Sequence, residues 1–176
     1  KGYGLADIIT KKPVNENTNF QIASNSKAFT TTALAILEEE GKLKWTDKVK
    51  DHIPEFKMYN DYVTGNFNIQ DLLTHLGLGI GDLMFFPDGS NFTIKDVVTS
   101  FQHFKPVSAF RTKFDYDNLL YIVAGEVIAR ASGKSYELFV QKRIIEPLQM
   151  NNSFVGSLLK DKSNLATPHS SESGTI

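Results

Sequence analysis

The chain has 176 residues, a formal net charge of -1, 41% hydrophobic residues and no cysteine. That length suits one domain with a substantial apolar core, the charge balance argues against a nucleic-acid or strongly anionic membrane partner, and the missing thiols exclude disulfides and thiolate chemistry. No apolar run approaches membrane-spanning length, Lys1-Gly2-Tyr3 does not read as a signal peptide, and the lack of an initiator Met points to a processed or trimmed chain.

In chain order, Gly2 to Ile9 and Asn19 to Ala23 read as two strands joined by the polar stretch Thr10 to Thr18. A hairpin of this kind is marginal alone and needs more sheet, or a helix, over its edges. A helix is expected from Ser24 to Gly41, with Ser24 or Asn25 as its cap and Gly41 as its stop. Phe29, Ala33, Ile36 and Leu37 recur at helical spacing, and Leu34 and Ala35 widen the stripe, so this helix is expected to be central and largely buried. Lys42 to Lys50 reads as a solvated turn over the single Trp45. Further helices are expected from Ile69 to His75, capped by Asn68, and from Ile94 to Phe104, capped by Thr93; an Asp at the third helical position favours each start. A last pair spans Leu119 to Ala131, ended by Gly133, and Tyr136 to Ile145, capped by Ser135 and closed before Pro147, and Ser163 to Ile176 reads as loop.

Ser24 and Lys27 lie three residues apart, so on a helical first turn the hydroxyl and the ammonium share one face. A serine is a poor nucleophile until a neighbour takes its proton, and a helix N-terminus favours the anion that forms on an attacked carbonyl. The alternative is an N-cap serine beside a surface lysine. Ser-x-x-Lys is a weak signal by itself: Ser157 and Lys160 match it too, without a long helix behind them. Phe114-Asp115-Tyr116-Asp117-Asn118 places a phenol and a carboxamide two residues apart just before a strong helix. A Tyr hydroxyl near a lysine ammonium can shuttle a proton, and an Asn can orient the lysine and bind a substrate amide; otherwise Tyr116 packs and Asn118 caps the helix. Gly77-Leu78-Gly79-Ile80-Gly81 follows a helix rather than a strand, which fits a loop at a cleft edge better than a phosphate cradle. Phe85, Phe86, Phe104, Phe110 and Phe114 are candidates to line that cleft. His52, His75, His103 and His169 lack metal-site spacing and read as capping, packing or surface residues.

Together the two motifs resemble the serine β-lactamase and penicillin-binding-protein-like family, in its branch of class C β-lactamases, D-alanyl-D-alanine carboxypeptidases and esterases. The likeness extends to Gly2-Tyr3-Gly4 with Pro13-Val14 and Thr18-Asn19-Phe20, similar to the family's opening hairpin, and to Leu43 to Phe56, similar to the segment after its nucleophile helix. It also takes in Asp71-Leu72-Leu73-Thr74-His75 and Glu146-Pro147-Leu148-Gln149-Met150. The resemblance implies an α/β (α+β) fold of the β-lactamase/penicillin-binding-protein-like kind, here an N-terminal β-hairpin plus a mainly helical domain, with the C-terminal sheet strands missing from the chain. The expected organisation is one partial domain over 1–176: hairpin 1–23, nucleophile helix 24–41 and helical subdomain 42–176.

By the same resemblance Ser24 is the acylated nucleophile, Lys27 its base or proton relay, Tyr116 a second proton carrier and Asn118 a substrate-positioning group. The implied substrate is a small molecule or peptide with a reactive carbonyl: a β-lactam, a D-Ala peptide or a small ester. No metal or organic cofactor is implied. Such enzymes usually act outside the cytoplasm, so a periplasmic or other extracytoplasmic location is expected. After His75 the family commonly continues Arg-Ser-Gly-Leu-Gly, whereas Leu76-Gly77-Leu78-Gly79 follows here at once, and the family's third element, a Lys or His with a small residue and Gly, has no counterpart. The expected completion is the missing C-terminal part of the same protein, or a second chain, supplying the rest of the sheet. The competing expectation is a non-catalytic binding or scaffold module that keeps the fold with an incomplete site.

Overall fold

The computed structural model describes residues 1–76 and 91–169, so Gly77 to Gly81, Phe85 and Phe86 lie outside the described residues. Strands β1 (Leu5–Asp7) and β2 (Lys12–Pro13) pair antiparallel, Leu5 opposite Pro13 and Asp7 opposite Lys12, with a bulge between. The turn between them is held by the Asp7 carboxylate, which accepts the backbone N–H groups of Ile9 and Thr10. Among the described residues the helices are α1 (Ser26–Glu39), α2 (Val49–His52), α3 (Asp61–Asn66), α4 (Ile69–Leu73), α5 (Ile94–Ser100), α6 (Leu119–Ser132) and α7 (Tyr136–Val140).

 The sequence signals for their ends are local and mostly act as expected. In α4, Asn68 accepts the Asp71 N–H at 3.0 Å while the Asp71 carboxylate accepts the Asn68 N–H at 2.8 Å; Thr93 and Asp96 form the same reciprocal box at the start of α5, which runs Ile94–Ser100. Gly133 ends α6 in the left-handed conformation (φ 68°), which only glycine adopts without penalty.

Three expectations are corrected. Asn19 to Ala23 is not a strand: Asn19 makes a single parallel bridge to Leu165, and Ala23 has φ 44° as the chain enters a 3-10 turn, Ala23–Asn25. Phe20 and Ile22, within the expected strand, are 56% and 46% exposed. Neither Ser24 nor Asn25 caps α1 with its side chain; the Asn25 amide instead donates to the Ile22 carbonyl. Finally, α1 is not the buried centre. It buries Thr30, Ala33, Leu34 and Leu37, but Ala28, Thr32 and Ala35 are exposed. The central helix is α6, which buries Leu119, Leu120, Val123, Ala124, Val127 and Ile128 and is packed by α1, α2, α4, α5 and α7. It is apolar nearly all round, as a helix enclosed by others must be.

The core continues into a cluster in which Phe56 meets Phe67 and Phe101 at ring distances of 5.6 and 5.8 Å. Fully burying one such side chain contributes about 1.5–3 kcal/mol, so the cluster is a firm base for the loops above it. Phe104 and Phe110, candidates for the cleft, pack against this core instead, and Phe110 stacks on Phe67. The ends of α1, α4 and α6 thereby meet at one point, where the candidate residues lie.

Candidate active site

Ser24 sits in the 3-10 turn that runs straight into the 14 residues of α1. Its exposed side chain is therefore at the positive end of that helix. One helical turn on, the half-buried Lys27 directs its Nζ to the Ser24 Oγ at 3.2 Å. The left-handed φ of Ala23, unusual for a residue with a Cβ, sets the bend that presents Ser24.

Tyr116 and Asn118 arrive from the loop before α6. The Tyr116 hydroxyl donates to the Ser24 Oγ at 2.6 Å, and Lys27 Nζ donates to the Asn118 Oδ1. Asn118 precedes α6 without capping it, so its carboxamide serves the lysine; Asp117 accepts the Leu120 N–H at 3.3 Å in its place. All four sequence candidates, Ser24, Lys27, Tyr116 and Asn118, thus come together. Lys27 Nζ also lies 4.6 Å from the Tyr116 ring centroid and 5.1 Å from that of Tyr121, within cation–π range.

Two neighbours were not identified as site residues from sequence. Tyr121, one turn past Asn118, shares the face that meets Lys27, and its hydroxyl donates to the Leu73 carbonyl at 3.0 Å; the spacing of three from Asn118 was the available signal. His75 is buried with its ring stacked on Tyr116, centroids 4.4 Å apart and planes 24° apart. Burial first, and then the charge of Lys27, lower the His75 pKa from its ordinary 6.5, which keeps the imidazole neutral. By contrast Phe114 is 62% exposed, touching His75 edge-on. Ser157 lies in a single 3-10 turn, Gly156–Leu158, with no long helix behind it.

A cavity of about 650 Å³ opens beside Ser24 between α1, α6 and α7, with Lys27, Thr30, Tyr121, Ile122 and Tyr136 in its walls. The Tyr136 hydroxyl pairs with Thr30 at 2.9 Å, and burial raises its pKa above the ordinary tyrosine value. Among the described residues no three His, Cys, Asp or Glu side chains are grouped to hold a metal. The arrangement suits one kind of chemistry: a hydroxyl at a helix N-terminus, two proton-bearing groups on its oxygen and a carboxamide fixing the cation fit acyl transfer.

Comparison with known proteins places this geometry in context. A family model described as Beta-lactamase matches residues 1–175. Protein flp of Staphylococcus aureus (strain MW2) is 32% identical over 160 residues, covering 87% of this chain and 31% of that protein. Unguisins hydrolase ungD of Aspergillus violaceofuscus is 30% identical over 187 residues, 99% of this chain and 33% of that protein. The crystal structure of FmtA from Staphylococcus aureus superposes with a TM-score of 0.79 at 27% identity, covering 94% of this chain and 45% of that one. The chain therefore spans about a third of the length of these curated relatives and matches a partial β-lactamase/penicillin-binding-protein-like fold.

Proposed function

Because the chain belongs to the Beta-lactamase family, we propose that the protein is a serine hydrolase in which Ser24 forms an acyl-enzyme with a β-lactam, a D-Ala peptide or a small ester. The Ser24 Oγ adds to the substrate carbonyl carbon as its proton passes, directly or by way of the Tyr116 hydroxyl, to Lys27 reacting as the neutral amine, which becomes the ammonium. The bond from that carbon to nitrogen or oxygen then breaks, and the leaving atom takes the proton back from the pair. Water adds next to the acyl carbon, the Ser24 ester bond breaks, and Ser24 recovers a proton as the acid leaves. Asn118 holds Lys27 in reach of Ser24, and the Lys27 ammonium favours negative charge as it develops on the oxygens nearby. The apolar cavity beside Ser24 is large enough to take the acyl part of a small substrate.

The observation that carries this reading is the convergence on one oxygen: Tyr116 OH at 2.6 Å and Lys27 Nζ at 3.2 Å from the Ser24 Oγ, with Tyr116 distant from Ser24 by 92 positions in sequence. An N-cap serine needs neither neighbour. The test is a denaturing intact-mass spectrum of the full-length protein before and after incubation with a penicillin, a D-Ala-D-Ala peptide or an activated ester, beside Ser24→Ala. An adduct of the acyl mass on the wild type, absent from S24A, is the expected result. No adduct from any of the three carbonyl classes, or an adduct that survives in S24A, would overturn the proposal and leave a binding or scaffold module.

A further inference from the structure

The part of this site with no assigned role is its floor. His75 ends the Leu72-Leu73-Thr74-His75 run just after α4, in the left-handed conformation (φ 55°), which turns its ring under Tyr116. Its Nδ1 accepts the Asp117 N–H at 3.0 Å, so the proton of the neutral ring is on Nε2. Its carbonyl accepts the Asp115 N–H at 2.7 Å, and the next carbonyl, of Leu76, accepts the Arg111 N–H at 3.0 Å. One residue thus grips the backbone on both sides of Tyr116 and covers the face of the phenol ring. The Tyr121 ring also packs against the imidazole, tilted, with centroids 5.4 Å apart.

Resting on the acyl-enzyme reading, we propose that His75 is a positioning residue: its neutral ring, stacked on Tyr116 and tied through Nδ1 to the Asp117 N–H, aims the Tyr116 hydroxyl at Ser24. A phenol attached to an exposed loop has free rotation about χ1 and χ2, and the hydroxyl is the far end of that lever. A surface against the ring restricts both torsions, and His75 provides a stacked face for it, with Lys27 also over the ring. A misplacement of about 1 Å at a proton-carrying group can cost up to a hundredfold in rate. Among the described residues no hydrogen bond joins His75 to Ser24 or Lys27, and its packing contact with the site is the Tyr116 ring.

Two substitutions divide the functions of the ring. His75→Asn keeps an acceptor near the Nδ1 position for the Asp117 N–H but removes the stacked plane. His75→Phe keeps the plane and removes the acceptor. In the full-length protein, H75N is expected to acylate roughly ten- to a hundredfold more slowly than wild type, and H75F to stay within roughly threefold at a lower melting temperature. In a Tyr116→Phe background H75N is expected to add no further loss, the signature of a residue acting through another. A second readout is independent of turnover: nuclear Overhauser contacts between the Tyr116 ring protons and the Lys27 side chain are expected in wild type and H75F and lost in H75N. An equal rate loss from H75N with and without Tyr116, or Tyr116–Lys27 contacts that persist in H75N, would overturn the role of His75 and leave Ser24 chemistry standing. Failure of acylation in wild type with the contacts behaving as expected would instead sink the enzyme reading alone.

Discussion

Truncating Arg111 to alanine tests how the loop that carries Tyr116 and Asn118 is anchored. The Arg111 Nε and Nη2 donate to the two Asp71 oxygens at 2.7 Å each, and Nη2 also reaches the Asn66 carbonyl at 3.1 Å. The Asp71 side chain is 7% exposed and that of Arg111 44%. The substitution therefore strands a buried carboxylate that keeps one local donor, the Asn68 N–H at 2.8 Å. Breaking a fully buried pair costs about 3–5 kcal/mol and leaving a buried acceptor unpaired about 1–3 kcal/mol. With the arginine half in water and the cap intact, about 2 kcal/mol is the expected loss. At a urea m-value of roughly 2 kcal/mol per molar, the unfolding midpoint falls by about 1 M, which Trp45 fluorescence can follow. Asp71→Asn in the same background should recover part of the loss, because the stranded charge is gone. The Arg111 and Asp115 backbone bonds to Leu76 and His75 survive the truncation, so acylation per folded molecule should change little. A midpoint shift below about 0.3 M would refute the reasoning, since the pair would then be worth no more than an exposed one.

Two further outcomes are expected. Gly133→Ala should cost about 1–2 kcal/mol, measured as a loss in the same urea midpoint: its φ is 68°, nothing lies within 4 Å of the added carbon, and so the whole effect is left-handed backbone strain, with Gly133→Asn milder. Stability should also fall with pH through His75. Its pKa is lowered in the fold from 6.5, so in the window below that value the unfolded chain holds more protons than the folded one. The stabilisation is complete above about pH 6.5 and is lost as pH falls through the folded value, and melting curves between about pH 5 and 7.5 should show a slope that H75N flattens.

Much of the helical part is legible because the signals are local. Asn68 with Asp71, Thr93 with Asp96, and Gly133 each act within three residues, where sequence spacing is distance. The six-residue α3 escaped this reading: Gly65 and Asn66 are poor helix formers, and its one clear signal was Asn60, whose side chain accepts the Val63 N–H at 2.8 Å. The expected strand at Asn19 to Ala23 failed for the opposite reason. Alternation of Phe20 and Ile22 says which residues could share a face but not whether anything covers it, and the left-handed bend at Ala23 carries the chain into the 3-10 turn instead. The centre of the fold was misplaced because α1 and α6 both have wide apolar stripes, and only tertiary packing shows which one is surrounded.

The candidate site divides along the same line. Ser24 and Lys27 lie three residues apart, so their meeting follows from helix geometry once α1 is granted. Tyr116 and Asn118 are remote in sequence, and residue chemistry alone favoured packing for the one and capping for the other; resemblance to a family, not physics, joined them to Ser24. His75 was the least legible. A histidine with no metal-like spacing reads as a capping, packing or surface residue, and this one packs. What it packs against is the point, because a ring laid on a phenol whose hydroxyl sits 2.6 Å from the Ser24 Oγ fixes the direction of that hydroxyl. Burial that would count as plain core elsewhere becomes orientation here, and the His75→Asn and Tyr116→Phe cycle separates the two, since lost packing adds in both backgrounds while lost orientation has nothing left to act on once the hydroxyl is removed.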